Sequence, residues 1–356
     1  MKQILLGLLA LTLPAILTAS PATRRTDKKH RHTPAAKVRA VPVHTSSVTS
    51  RRTARYRRST KRVIAAHPIP AAMRAEAFTT VSERLDARQA HFENPAALVP
   101  FFELLSQAQQ LGQPVHILQF GDSHTASDDW VNAMRIEFQT KYGSGGPGFV
   151  HAGRPYKGYR RFDASGSNST GWITEGTLAH LGDGQEGLSG VSISTSRPGQ
   201  TVTLDTSGDL LEVYYLQQPG GGSLQFSSDG NPVDTISTDG PLGPGFYSFT
   251  PAPGTHHYEL RTTAYAPVRL FGWTSDNKQG LTFETLGING AQANILLGWD
   301  QSIWSAEVAR RNPALIILAY GTNEANSRRF DPEQYRADLT AVIQRLRKAS
   351  QVASIL

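Results

Sequence analysis

Glycine is distributed very unevenly in this chain, and its distribution divides the chain into parts that must fold differently. Of the 32 glycines, 24 fall within residues 143–277. Short runs in that stretch alternate apolar and polar residues, as at 191–194 and 211–216, and Gly, Pro and Asp residues separate them. Such alternation with frequent turns is typical of antiparallel strands. The stretch is therefore predicted to form an all-β module, a sandwich.

The segments on either side of this module alternate apolar strands with helices. Residues 115–120 and 314–320 are short, almost wholly apolar runs, and helical periodicity follows at 128–142 and 332–349. Another apolar run begins at residues 353–356. Strands that alternate with helices form an open parallel sheet. We therefore expect an α/β fold, an open parallel sheet interrupted by an inserted all-β sandwich domain.

Charge is divided as sharply as glycine. Residues 1–70 carry 15 Lys and Arg against one acid, Asp27, whereas residues 71–356 carry 21 against 28 acids. The folded part is thus mildly acidic and has no electrostatic basis for binding nucleic acid, which is not an expected partner. The chain has no cysteine. Disulfides, Cys-ligated metals and a Cys nucleophile are therefore excluded.

The N-terminal residues have the pattern of an export signal. Lys2 precedes an apolar run at 4–17, and small residues follow, so residues 1–22 are predicted to be a signal peptide; an uncleaved signal anchor is the alternative. No other stretch is long and apolar enough to span a bilayer, so we expect no transmembrane helix in the mature chain. Residues 23–70 are predicted to be a basic disordered linker, either a solvated spacer or a contact for anionic envelope polymers. The expected location is periplasmic or otherwise exported.

Three short motifs follow the predicted strands or lie in glycine loops. The first is GDSH at residues 121–124, the second LGINGAQ at 286–292, and the third YGTNE at 320–324. Polar residues that follow parallel strands lie at the carboxyl edge of the sheet, where ligands bind. We interpret Ser123 as the nucleophile of a hydrolase. The Ser123 N–H, the Gly290 N–H and the side-chain amide of Asn323 are candidate donors of an oxyanion hole.

Supporting roles fall to neighbouring residues. Asp122 is interpreted as a turn and helix-cap carboxylate that holds the nucleophile loop. His124 is either a substitute base or, because adjacent side chains usually point apart, a residue that orients the loop or makes a hydrogen bond. Glu324 either orients Asn323 and lines the pocket or is a solvated loop acid.

Several other polar and aromatic residues have less specific interpretations. Asp128 and Asp129 are expected to favour the N-terminus of the following helix. In the β module, four aromatic residues are candidates either for stacking on sugar rings or for core packing, Trp172, Tyr214, Tyr215 and Tyr247.

The motifs, in this order, resemble the SGNH/GDSL hydrolases. The sequences GDSHTASD, LGINGAQ and AYGTNEA, with a glycine-rich module between the first two, resemble the branch of periplasmic peptidoglycan O-acetylesterases, whose insert is carbohydrate-binding-like. The resemblance covers roughly residues 100–356. It implies an SGNH-type open parallel sheet of flavodoxin-like topology, interrupted by the inserted sandwich. It also implies a carboxylic ester hydrolase without cofactor or metal that removes O-acetyl groups from a glycan such as peptidoglycan. We accordingly expect a hydrolase domain in two parts, 71–150 and 278–356, around an insert at 151–277.

The chain departs from the family in one respect. The base of the family is the His of an Asp-x-x-His block near the C-terminus, and this sequence has no His after His257. We expect a C-terminally truncated hydrolase domain that is inactive or weak, because a serine hydroxyl without a base is a poor nucleophile. The alternatives are a glycan-binding pseudoenzyme of the cell envelope and a GDSL lipase or thioesterase.

Overall fold

The computed structural model describes residues 93–356 and five isolated helical positions before them, Ala72, Ala75, Glu76, Thr79 and Glu83. The expected signal peptide at 1–22 and basic linker at 23–70 lie outside the described residues. Within the described part of the chain, no helix combines the length and the apolar character needed to cross a bilayer.

The described elements alternate as the sequence predicts. The helices are α1 (Val99–Leu111), α2 (Ser123–Ala126), α3 (Asp129–Tyr142), α4 (Gln301–Arg311), α5 (Thr322–Ala325) and α6 (Pro332–Ala349), with 3-10 turns at Pro95–Leu98 and Ala293–Gly298. The strands are β1 (Pro114–Gly121), β2 (Gly148–His151), β3 (Ser165–Asn168), β4 (Ile173–Glu175), β5 (Ser192–Thr195), β6 (Thr201–Ser207), β7 (Leu210–Gln217), β8 (Ser223–Ser228), β9 (Asn231–Ser237), β10 (Gly243–Phe249), β11 (Thr255–Thr262), β12 (Val268–Asp276), β13 (Gly280–Gly287), β14 (Leu315–Ala319) and β15 (Ser354–Ile355).

Four of these strands form the parallel sheet, in the order β13-β1-β14-β15. Helices α1 and α3 cover one face, where Phe101 and Phe138 pack against Ile117. Helices α4 and α6 cover the other face, where Trp304 packs in one core with Phe120. A parallel sheet buried on both faces explains why its strands read as nearly continuous apolar runs. The expected open α/β sheet is confirmed.

Strand β13 was not foreseen from the sequence, which suggested only a glycine loop at 286–292. The segment Gly280–Gly287 pairs with β1 along its whole length. Its polar residues Thr282 and Glu284 concealed it, because a buried parallel strand is expected to be apolar. Both are fully buried and satisfied by partners distant in sequence: Thr282 contacts His116, and Glu284 is paired with Arg311.

The two long helices of the second half begin at side-chain caps. The Asp300 carboxylate accepts the N–H groups of Ser302 and Ile303 at the start of α4. Asp331 caps α6 in the same way and is followed by a proline at the first helical position. Aspartate satisfies otherwise unpaired N–H groups and proline needs none, so both helix starts are set locally. The predicted helix at 332–349 is found with those bounds.

The glycine-rich module consists of two antiparallel sheets. One has the strand order β10-β7-β12-β5-β4 with β2 alongside β12, and the other has the order β3-β6-β11-β8-β9. Residues Val202 and Leu204 of β6 alternate inward, and Trp273 of β12 is fully buried in the same apolar core. Two sheets enclosing one core make a sandwich. The predicted all-β sandwich between the parts of the parallel sheet is confirmed.

Most aromatic residues of the sandwich are part of its packing. Tyr214 and Tyr215 are buried, and Trp172 and Tyr247 pack partly buried against the core between the two sheets. The Trp172 indole donates to the Thr201 carbonyl. Core packing, one of the two interpretations, therefore describes these rings.

A buried ionic cluster lies where the sandwich meets the parallel sheet. Arg311 of α4 donates to both carboxylate oxygens of Asp276, in the sandwich strand β12, and to Glu284 of β13. Its guanidinium also lies 2.9 Å from Nδ1 of His116 in β1. All four side chains are at least nine-tenths buried. We call this group the junction cluster, since it joins residues of both parts of the fold.

Candidate active site

The three motifs lie together at the carboxyl edge of the parallel sheet. Strand β1 is central, and its last residue, Gly121, is opposite Gly287 of β13 on one side and Ala319 of β14 on the other. The segments that carry Ser123, Gly290 and Asn323 therefore leave three adjacent strands at the same level. Ligands of open α/β folds bind at this edge.

Two glycines allow the nucleophile helix to sit directly on the strand ends. A Cβ on Gly121 would lie 2.1 Å from Oγ1 of Thr125, and one on Gly287 would lie 2.3 Å from the N of Ala126. Only glycine leaves room for α2 at this distance. The hydroxyl of Thr125 accepts from the buried amide of Gln119 at 3.0 Å. The helix that begins at Ser123 is thus fixed from below.

Ser123 is exposed at the start of α2, and Asp122 holds the turn beneath it. The Asp122 carboxylate, 2% exposed, accepts the His124 N–H at 2.9 Å and thereby caps the helix. The same oxygen lies 3.0 Å from Nδ1 of His124, whose side chain is 64% exposed. The geometry agrees with a capping Asp122 and a His124 that makes a hydrogen bond. No hydrogen bond joins His124 to the Ser123 hydroxyl among the described residues.

The second motif forms a tight turn next to Ser123. The Ala291 N–H donates to the Ile288 carbonyl at 3.1 Å, and Gly290 has φ +78, as the third residue of a type II turn requires. The Ile288 N–H donates to the Gly121 carbonyl at 3.0 Å and ties the turn to the nucleophile strand. Within the described residues, the backbone N–H groups of Ser123 and Gly290 have no hydrogen-bond partner. Both are available to an oxyanion.

Asn323 connects the third motif to the other two. Its Nδ2 donates to the Ala291 carbonyl at 2.9 Å and to Oδ2 of Asp122 at 3.4 Å. The Gln292 side chain donates to the Asn323 carbonyl at 3.3 Å. The sequence-predicted residues Asp122 and Asn323, 201 positions apart, are thus in direct contact. One of the two Asn323 amide hydrogens is held only weakly, because 3.4 Å is long for such a bond.

Glu324 is a buried positioning group, and its interpretation as a solvated loop acid is wrong. Its side chain is 6% exposed. One carboxylate oxygen accepts the Ala293 N–H at 2.8 Å and the other accepts the Gly321 N–H at 2.9 Å. Glu324 therefore clamps the third motif to the segment that follows the second.

Asp128 has a different role from the one expected. It precedes α3 in a left-handed conformation, φ 60, and its side chain does not cap the helix. Instead it is fully buried, pairs with Arg135 at 2.7 Å and accepts from Thr285 at 2.6 Å. Burial by itself would raise the pKa of Asp128, but the positive charges of Arg161 and Arg135 and the hydrogen bonds outweigh it and lower that pKa. Because Asp128 lies outside the helix, helical spacing gave no signal for this pair.

Two segments of the sandwich also reach this edge, which the sequence did not reveal. Leu178 lies over the second motif: its Cδ1 is 2.8 Å from where a Cβ on Gly290 would be. The segment 154–163 meets the nucleophile helix on the other side, and Arg160 and Arg161 line a small cavity together with Ala126. Within the described residues, no three His, Asp or Glu side chains are grouped so that they could hold a metal ion.

Comparisons with known proteins agree with this architecture. No family model matches the chain, and no curated protein is similar to it. Among solved structures, a peptidoglycan O-acetylesterase is 25% identical to this protein. The match covers 73% of this chain and 71% of that one, with a TM-score of 0.60. A family two carbohydrate esterase from Clostridium thermocellum, in complex with cellohexaose, is 14% identical over 46% and 72% of the two chains, with a TM-score of 0.21. A two-domain esterase active on acetylated mannans is 14% identical over 34% and 40%, with a TM-score of 0.22. The TM-scores of the last two structures are too low to support an argument about the fold of this protein.

The parallel sheet, with the three motifs at its carboxyl edge, and the inserted sandwich together define an SGNH-type α/β architecture. The resemblance to peptidoglycan O-acetylesterases, which the motifs GDSH, LGINGAQ and YGTNE indicate, is confirmed by structural similarity over 73% of this chain.

Proposed function

We propose that the protein is an exported serine esterase of SGNH type that removes O-acetyl groups from a glycan, and that this glycan is peptidoglycan. The observation that carries the proposal is the convergence of Ser123, Gly290 and Asn323 at one sheet edge, linked by the contact between Asp122 and Asn323. Similarity to a peptidoglycan O-acetylesterase supports the substrate class. An exported location follows from the substrate and from the signal-peptide pattern at 1–22.

In this mechanism the Ser123 hydroxyl attacks the acetyl carbonyl. The developing oxyanion accepts from the N–H groups of Ser123 and Gly290 and from Nδ2 of Asn323, which turns away from Asp122. The sugar oxygen takes a proton and leaves, and an acetyl-serine ester remains. Water then attacks this ester, acetate is released, and the proton returns to Ser123. Ester hydrolysis by this route needs no cofactor.

We further propose that this polypeptide hydrolyses its substrate slowly. The imidazole next to the nucleophile, that of His124, is bound to Asp122 rather than to Ser123. No hydrogen bond joins a base to the Ser123 hydroxyl within the part of the chain that the structure describes, and a serine without a base stays protonated and attacks poorly. Serine hydrolases that lack a triad member retain ~10³–10⁴-fold over water from the oxyanion hole and binding. We expect a residual activity of this kind.

Chemical rescue tests the proposal. Acetate release from O-acetylated peptidoglycan is measured for the full chain with and without added imidazole, beside Ser123→Ala and the matched control Ser127→Ala. Ser127 lies one turn further on, and its hydroxyl donates to the His124 carbonyl. We expect slow release that imidazole accelerates in the unmodified chain and in Ser127→Ala. Equal release from Ser123→Ala would overturn the esterase proposal.

A glycan-binding pseudoenzyme is the second candidate, favoured by the engagement of His124 with Asp122. It predicts that imidazole accelerates nothing, while the chain binds O-acetylated glycan and Ser123→Ala binds equally well. Sedimentation of the chain with insoluble peptidoglycan, measured beside the acetate assay, separates the two candidates.

A further inference from the structure

The sandwich places a basic segment beside the nucleophile helix. Residues 154–163 contain four cations and one acid, Asp163, in a region that is otherwise mildly acidic. Three contacts fix the position of this segment: Phe162 donates its N–H to Asp128 at 3.0 Å, Arg160 lies 3.4 Å from Asp129, and Arg160 and Arg161 face Ala126 across the small cavity. Ala126 belongs to the same helical turn as Ser123. The basic segment therefore lies against the helix that begins at Ser123, and we call it the basic wall.

This wall is built rigidly. His151, Tyr156 and Tyr159 pack edge to face, with ring centroids 5.3 Å apart for His151 and Tyr159 and 5.6 Å apart for the two tyrosines. Arg161 is buried, donates to the Pro147 carbonyl and is neutralised by Asp163. Such packing holds the backbone of the segment in place, so its exposed side chains are presented at a fixed distance from the nucleophile helix.

Two cations of the wall have no carboxylate partner among the described residues. Arg154 is exposed; its backbone N–H donates to Asn168, but its guanidinium makes only a long contact, 3.4 Å, with the Tyr159 carbonyl. Lys157 is exposed, and within the described part of the chain its side chain has no hydrogen bond or ion pair. Arg160 is more than half exposed, and its pairing with Asp129 across 3.4 Å is worth little in water. Exposed cations that are not neutralised by the protein attract and bind an anionic ligand.

We propose that Arg154, Lys157 and Arg160 form a subsite for a carboxylate carried by the acetylated glycan. The proposal rests on the proposed function and names its substrate class: an acetylated glycan with carboxylate groups rather than a neutral one. The carboxylate belongs either to a sugar acid of the glycan or to a peptide attached to it. Because the basic wall lies against the residues that directly follow the helix of Ser123, we place the carboxylate of the bound glycan beside this wall when its acetyl group is at Ser123.

Binding by the full chain tests this subsite without depending on turnover. Ser123→Ala is used as the background, and dissociation constants are measured by calorimetry for three O-acetylated ligands: a neutral chito-oligosaccharide, a peptidoglycan disaccharide with a free sugar carboxylate, and the same disaccharide with its peptide.

The double variant Arg154→Ala/Lys157→Ala is compared with the matched control pair Lys278→Ala/Lys348→Ala. Lys278 and Lys348 are exposed and precede strands β13 and β15, at the opposite edge of the sheet. The basic residues at 23–70 are common to all variants and cancel.

We expect the wall variant to bind carboxylate ligands ~10-fold more weakly and the neutral ligand unchanged, because two charge-assisted contacts are lost. The control pair should match its background. A loss confined to the peptide-bearing disaccharide assigns the carboxylate to the peptide, and a loss with both disaccharides assigns it to the sugar. Unchanged binding in the wall variant, or an equal loss with the neutral ligand, would overturn the subsite but leave the esterase proposal intact. Failure of every acetylated glycan to bind would overturn both.

Discussion

The junction cluster and the carboxyl edge of the sheet both bury carboxylates, but they satisfy them in opposite ways. At the junction, Asp276 and Glu284 share the single guanidinium of Arg311. Burial alone would raise the pKa of Glu284, but the positive charge of Arg311 and the contact between Glu284 and His116 outweigh it and hold that pKa at about 2. Here every charge has an opposite charge within the fold. Such a cluster orients one part of the molecule on another and offers nothing to a ligand.

At the carboxyl edge, the carboxylates of Asp122 and Glu324 have hydrogen-bond donors but no arginine. Asp122 accepts from the His124 N–H and from the Asn323 amide, and Glu324 accepts from two backbone N–H groups. The N–H groups of Ser123 and Gly290 meanwhile have no partner within the described residues. Spare donors with fixed positions are what a developing oxyanion requires. The comparison shows that a region built for stability uses all its polar groups, whereas a region built for chemistry leaves some available.

The largest expected effect is at the junction. Arg311→Met removes the only guanidinium there and leaves Asp276 and Glu284 buried without it. Breaking a buried pair from one side costs about 3–5 kcal/mol. Urea unfolding should therefore show a strongly lowered free energy of unfolding, or a chain that does not fold.

The matched control is Arg336→Met on the exposed face of α6, for which we expect a change within about 0.5 kcal/mol. A triple variant with Asp276→Asn, Glu284→Gln and Arg311→Met should recover part of the loss, since no isolated charge remains. If the single and control variants unfold alike, the junction cluster does not stabilise the fold.

A smaller, pH-dependent effect comes from a buried carboxylate near the junction that has no arginine of its own. Burial raises the pKa of Glu307 to about 8, only partly offset by the Leu188 N–H and the charge of Arg310. One of the two Glu307 carboxylate oxygens has no hydrogen-bond partner among the residues that the structure describes. The folded state thus keeps a proton that the unfolded state releases near 4.5, so this stability is complete below pH 4.5 and is lost as the pH rises to about 8.

Glu307→Gln tests this sign. Urea unfolding between pH 5 and 8.5 should show that the variant loses less stability with rising pH than the unmodified chain, by at most ~1.4 kcal/mol per pH unit. Glu333→Gln, an exposed change of the same kind in the first turn of α6, should leave the slope unaltered. Parallel slopes for Glu307→Gln and the unmodified chain would show that Glu307 titrates normally. Glu284 acts in the opposite sense, since its stability is lost as the pH falls toward 2.

The sequence predicted what depends on local pattern. Apolar runs located β1 and β14, and the motifs after them placed Ser123 and Asn323 at the correct sheet edge. It failed where a polar residue is satisfied by a distant partner. Glu284 made β13 look unlike a buried strand, and its partner Arg311 is 27 residues away. Hydrophobic periodicity in a sequence does not reveal ion pairs between residues that are distant along the chain.

The same limit applies to the candidate site. The identity and order of the three motifs were predictable, because each follows a strand or lies in a glycine turn. The burial of Glu324 and the contact of Leu178 with Gly290 were not, because both depend on how separate loops meet. The sequence also did not predict the basic wall, because Arg154 lies in a segment with the pattern of an ordinary loop of the sandwich.

The smallest expected effect on stability, Asp122→Asn, tests the comparison at the carboxyl edge. Asparagine still offers one oxygen to the His124 N–H, so the helix cap remains and the free energy of unfolding should change by less than about 1 kcal/mol. The other oxygen becomes an NH₂ group that faces Nδ2 of Asn323, donor against donor. Asn323 should then be displaced, and imidazole-assisted acetate release should fall by ~10²-fold, the usual cost of one oxyanion donor. Asp205→Asn, a change at an exposed carboxylate of the sandwich strand β6, is the control and should change neither quantity much. A stability loss without an activity loss would mean that Asp122 serves the fold and not the site, and the distinction between the two regions would fail.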